Sequence, residues 1–156
     1  MINDRADAAD SAQSQPLHVE KIIVQRDRVF CFVCIPDPQR RMTDANIAQK
    51  VRAWRPHIDD HACVNPCGSS FGAVIEKTSI PHLLEHMVID LMIERSSDPN
   101  ALFTGVTTWT DRDRGIARIE VSFTDDLDVL RAFCDATSFL NVAMLECQHV
   151  ISTPNI

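Results

Sequence analysis

The stretch Ile80-Pro81-His82-Leu83-Leu84-Glu85-His86-Met87-Val88-Ile89-Asp90-Leu91 decides how the rest of the chain is read. Ile80, Leu83, Leu84, Met87, Val88, Leu91 and Met92 recur at the i, i+3, i+4, i+7 spacing of one helix face. His82, Glu85, His86, Ile89 and Ile93 form a second stripe on roughly the opposite side. A helix apolar on both sides is an interior one, so its polar trio is expected to face protein or a cleft. Thr78 and Ser79 offer capping hydroxyls and Pro81 suits a first turn, which places the helix at about 79–94.

Residues three and four apart share a helix face, so His82, Glu85 and His86 sit together. Two neutral imidazoles one turn apart suit a divalent ion, with zinc the best match to His and Cys donors. The adjoining Glu85 carboxylate is placed to accept a proton from water during hydrolysis. The order H-x-x-E-H inverts the better-known H-E-x-x-H. A third ligand is expected from His61, Cys63 or Asp90. Asp90, one turn past His86, has the alternative role of orienting that imidazole. Two rival readings stand beside this one: a metal-free binding domain with a satisfied polar cluster, and a structural zinc site closed by four ligands.

Upstream, residues 18–24 (HVEKIIV) and 28–35 (RVFCFVCI) read as two strands joined by Gln25-Arg26-Asp27. Cys31 and Cys34 form a C-x-x-C only in spacing. On a strand they point to opposite faces and do not converge on one ion. Thr43-Asp44-Ala45-Asn46 starts a helix that carries Ile47, Val51 and Trp54 up to Pro56. Residues 57–70 show neither period and read as a loop dense in donors, including His57, Asp59, Asp60, His61, Cys63 and Cys67. A short bridge, 71–77, leads to the central helix.

Downstream, 101–110 and 115–123 read as a second hairpin with a charged turn at Asp111-Arg112-Asp113-Arg114. A last helix runs from about Asp125 to Met144, and residues after Glu146 read as a frayed end. The expectation is one α+β domain over 18–148, in the order β-β-α-α-β-β-α, with about four antiparallel strands packed against helices. Residues 1–17 and 149–156 read as tails.

The chain has 156 residues and a net charge of −7, with a pI near 5.2. That balance argues against nucleic acid and anionic membranes as partners. No apolar run is long enough for a membrane span and the N-terminus lacks the apolar segment of a signal peptide, so a cytoplasmic location is the default expectation. The six cysteines are then expected as thiols or ligands. With four glycines and no Gly-rich loop, nucleotide cradling is not expected.

From about Pro36 to Ala143 the chain resembles the N-terminal domain of cyanophycin synthetases. The resemblance rests on His61-Ala62-Cys63, Phe71, Thr78, the His82-Leu83-Leu84-Glu85-His86 helix with Asp90-Leu91, Gly105, and the hairpin ending at Phe123. The chain departs from the family pattern at Ser69-Ser70-Phe71-Gly72 and at Asp90, where the family has Gly-Gly-Phe and Glu. The resemblance implies a zinc metallopeptidase-like domain acting on an Asp–Arg polymer or peptide-like substrate, or a module that only binds the polymer. His82 and His86 would hold the metal and Glu85 would act on water. It also implies that polymer synthesis is absent, since no chain remains for ligase domains. A more distant similarity is to pitrilysin-type H-x-x-E-H proteins and to the quorum-signal lyase that cleaves ribosylhomocysteine.

Overall fold

The two β-branched and aromatic runs near the start form strands β1, His18–Val24, and β2, Arg28–Cys34. In the computed structural model, which describes residues 15–149, they pair antiparallel, and β2 pairs on its other side with a strand from the far half of the chain. The elements between and after are helix α1, Ala45–Trp54, short strands β3, Ala62–Asn65, and β4, Gly68–Ser70, helix α2, Ile80–Arg95, strands β5, Gly105–Asp111, and β6, Ile116–Ser122, and helix α3, Asp126–His149. The main sheet is antiparallel in the order β1-β2-β6-β5, and β3-β4 is a separate hairpin. The fold is α+β, as the spacing predicts.

One face of the sheet is covered. Val29, Cys31 and Val33 of β2 and Ala117, Ile119 and Val121 of β6 are fully buried, and the residues between them are half-exposed. This alternation is the signature of a sheet with one dry face. Helix α2 packs on that face and α3 packs on α2. Every residue of α2 from Ile80 to Met92 is buried except His82, which is half-buried. The interior helix read from its two stripes is therefore the one observed. Trp54 stacks on Phe139, ring centroids 4.5 Å apart, and ties α1 to α3.

Four boundaries differ from the sequence reading. The stretch at 57–70 contains a 3-10 turn, Ile58–Asp60, and the β3-β4 hairpin. Asn65-Pro66-Cys67-Gly68 makes its turn, and strands of four and three residues are too short to show a period. Strand β5 begins only at Gly105, after a turn in which the Ala101 amide donates to the Asp98 carbonyl. Helix α3 continues past Met144 to His149, since no Gly or Pro stops it. The leading tail ends earlier than 17, because Pro16 is buried and Leu17 is completely so. The rest of that tail, 1–14, and residues 150–156 lie outside the described residues.

Candidate metal centre

Helix α2 begins at a fixed point. The Ser79 side chain caps it by accepting from the His82 amide, and Pro81 occupies the first turn. The Thr43 side chain accepts from the Thr78 amide at 2.8 Å and donates to the Thr78 carbonyl at 3.1 Å. These bonds hold the residue before the cap, and the cap holds His82. Thr78, read from sequence as a second capping group, has a different role. Its Oγ1 lies 2.8 Å from His82 Nδ1. With Nδ1 engaged, His82 Nε2 faces the Cys63 thiol at 3.6 Å.

His86 is positioned by stacking. Its ring lies on Phe71, centroids 3.9 Å apart and planes at 19°. Phe71 is fully buried and meets His82 edge-on at 5.2 Å. One aromatic thus supports both imidazoles. Burial pushes the His86 pKa down to about 3, with the neighbouring His82 and His61 acting the same way. Burial also lowers that of His82. Both rings are neutral near pH 7, as metal ligation requires.

A chain of groups reaches His86 from the side. Burial alone would raise the Asp90 pKa, but hydrogen bonds and charge from His61 and Arg55 outweigh it and hold the carboxyl below its usual range. Asp90 Oδ2 accepts from Arg55 Nε, and Oδ1 lies 2.8 Å from His61 Nε2. An ionised carboxylate only accepts, so His61 Nε2 carries the hydrogen. His61 Nδ1 lies 3.3 Å from His86 Nδ1. Where His61 Nδ1 is the acceptor of that contact, His86 Nδ1 donates and its Nε2 keeps a lone pair for an ion. The pattern of partners assigns this tautomer. Each α2 histidine thus has its Nδ1 engaged, which leaves Nε2 as the nitrogen it can turn to an ion.

Cys63, His82 and His86 each offer a donor atom, and the three atoms lie within 4.8 Å of one another. Among the described residues this is the one such group. A sulfur and a nitrogen bound tetrahedrally to one zinc stand about 3.6 Å apart, given the usual bond lengths. The Cys63–His82 separation matches that edge, so the donors fit the ion. Of the expected ligands, Cys63, His82 and His86 come together. His61 and Asp90 do not join them: they form the chain behind His86. Asp90 orients His61 and reaches His86 only through it.

Glu85 is 5% exposed and accepts a hydrogen bond from Thr107 Oγ1 at 2.6 Å. Burial pushes its carboxyl pKa up, against the opposing effect of that bond. Its side chain lies on Gly105, where an added Cβ would come within 2.4 Å of Oε1. Together with the three donors it lines a cleft of about 810 Å³ between α2, the β3 segment and β5. Sequence reading missed Arg55 and Thr107, which come from distant elements and carry no spacing signal. Cys31 is buried in the core, its thiol pushed up to about 12 by burial, and Cys34 points instead toward the Arg114 carbonyl. No protein-family profile matches the chain, and no curated protein matches it.

Proposed function

We propose that the protein is a metal-dependent amide hydrolase, with zinc the ion and a peptide-like molecule the substrate. The observation that carries this reading is a set of three convergent donors beside a buried carboxylate that is not one of them, all opening on one cleft. Three protein donors leave a coordination position free, as in catalytic sites, whereas structural sites are closed by four. A divalent ion held by Cys63, His82 and His86 would polarise an amide carbonyl and acidify water. Glu85 accepts the proton released from water at its free Oε1 and returns it to the leaving nitrogen, while Thr107 holds Oε2. The raised pKa suits a group that must both take and give a proton. The resemblance to the cyanophycin synthetase N-terminal domain supports the same chemistry, and its Asp–Arg polymer is the first substrate to assay.

The test is metal content and turnover of the purified protein. Zinc loading should give one ion per chain and metal-dependent hydrolysis of peptides or the polymer. Glu85→Gln should retain the ion and lose at least about a hundredfold in rate, the usual contribution of a general base. A chain that binds no zinc, or equal turnover by Glu85→Gln, refutes the reading. Retained zinc with no hydrolysis of any amide favours the binding-domain alternative.

A further inference from the structure

One wall of the cleft is a strand with no partner on the cleft side among the described residues. In the order β1-β2-β6-β5, β5 is an edge. Its bonding alternation is set at its start, where the Ser122 amide donates to the Thr104 carbonyl. The register continues with Gly105 opposite Val121, Val106 opposite Glu120 and Thr107 opposite Ile119. Bonded and non-bonded pairs alternate along an antiparallel ladder. Val106 therefore turns its amide and carbonyl to β6, and Gly105 and Thr107 turn theirs away from the sheet. Both line the cleft, and both touch Glu85. Among the described residues, two backbone donors and two acceptors without partners thus run past the carboxylate. Unprotected edges of this kind recruit extended peptides.

The rest of the cleft selects among peptides. Val64, Ile93, Leu102 and Val106 all line it, and they are four of the ten exposed large hydrophobics among the described residues. Leu102 is 91% exposed and Val64 fully so, a clustering that marks a binding surface more than scattered apolar residues do. Among the described residues the lining includes Asp60 and Glu85 and no Lys or Arg.

We propose that the cleft binds an extended peptide as an added strand on β5, pairing with Gly105 and Thr107. An apolar side chain sits against Ile93 and Leu102, and acidic side chains are disfavoured. The proposal deepens the hydrolase reading by naming the substrate's conformation and side-chain class, which sets a peptide with an apolar residue ahead of the Asp–Arg polymer, and it rests on that reading only for turnover.

The probe is a library of capped synthetic heptapeptides, each with one varied position, bound to zinc-loaded Glu85→Gln. Binding is expected to favour Leu, Ile or Phe over Asp at one position by at least about tenfold. Amide exchange at Gly105 and Thr107 should slow on binding, while Val106, already bonded within the sheet, changes little. N-methylating the best peptide one amide at a time should weaken binding at alternate positions only, by about tenfold, which one lost hydrogen bond accounts for. Leu102→Asp and Ile93→Asp should each weaken it as well, and their exposed positions spare the fold. No binding by any library member at about 1 mM, uniform effects of N-methylation, or unchanged exchange at Gly105 and Thr107 overturns the proposal. Pairing on β5 without turnover by the unsubstituted protein would refute the hydrolase reading alone. Turnover of small amides without that pairing would refute this one alone.

Discussion

His86 is 4% exposed, stacked on Phe71, and held neutral. Its folded pKa of about 3 lies below the ordinary histidine value of about 6.5. Between those two values the unfolded chain binds a proton that the folded chain refuses. Stability of the metal-free protein should therefore fall as pH drops through that window and gain nothing from this group above it. The slope approaches about 1.4 kcal/mol per pH unit, so about 2 kcal/mol should be lost by pH 5. His86→Gln removes the titrating group. Urea unfolding at pH 7 and pH 5 should show a smaller difference for that variant, and equal differences would contradict the account. The partners of the two imidazoles make a separate prediction. Asp90→Asn keeps the shape but removes the charge that fixes His61, and Thr78→Val removes the partner of His82 Nδ1. Each should weaken zinc binding about 10- to 100-fold in competition with a chromophoric chelator, the usual effect of losing a group that orients a ligand. These roles were only half legible. His82, Glu85 and His86 follow from helix spacing. The choice of Cys63 over His61 and Asp90 as third donor depends on how the 57–70 segment folds back, which no spacing encodes.

Helix α2 and strand β5 meet through Glu85 and Gly105. The glycine at the start of β5 has no unusual backbone conformation; what its missing side chain does is leave room for Glu85. A Cβ there would come within 2.6 Å of Glu85 Cγ and Cδ and within 2.4 Å of Oε1. Gly105→Ala must therefore push the carboxylate off its Thr107 bond. Overpacking of this sort costs about 1–3 kcal/mol, and the turnover assigned to Glu85 should fall by much more than stability does. Zinc content should be unchanged, since the three donors do not touch Gly105. In the double variant Gly105→Ala with Glu85→Ala the clash disappears, so the two stability changes should not add. Additive melts would show that the clash is relieved elsewhere. The elements themselves were readable wherever a period had length to show: seven-residue strands, and helices of ten or more. The β3-β4 hairpin failed that condition. Val64 is fully exposed and its neighbours are small or polar, so no buried face marks the strand.

The whole molecule closes on itself where sequence gave no sign that it would. The segment before β1 lacks the run of large apolar residues that marks a core element, and it reads as the end of a polar tail. Yet Leu17 is completely buried, and its backbone is clasped by one side chain 124 positions away. The Leu17 amide donates to Asn141 Oδ1 at 2.9 Å, and Asn141 Nδ2 donates to the Leu17 carbonyl at 3.0 Å. A side-chain amide thus does the work of a neighbouring strand, satisfying both polar groups of a buried residue at the sheet's entry. Within α3, Asn141 looks like one more polar position, and a pairing across the length of the chain leaves no local pattern. Asn141→Ala should leave the Leu17 amide and carbonyl buried without partners, at about 1–3 kcal/mol for each group. Urea unfolding should show a total loss of about 2–6 kcal/mol. The loss should be felt at the junction of β1 and α3, and neither Leu17 nor Asn141 lines the cleft that holds the donor trio, so zinc affinity should stay within about twofold. A melt unchanged by Asn141→Ala would mean that water replaces the clasp without cost. A loss of zinc affinity equal to that of Thr78→Val would mean that the junction and the metal centre are one cooperative unit.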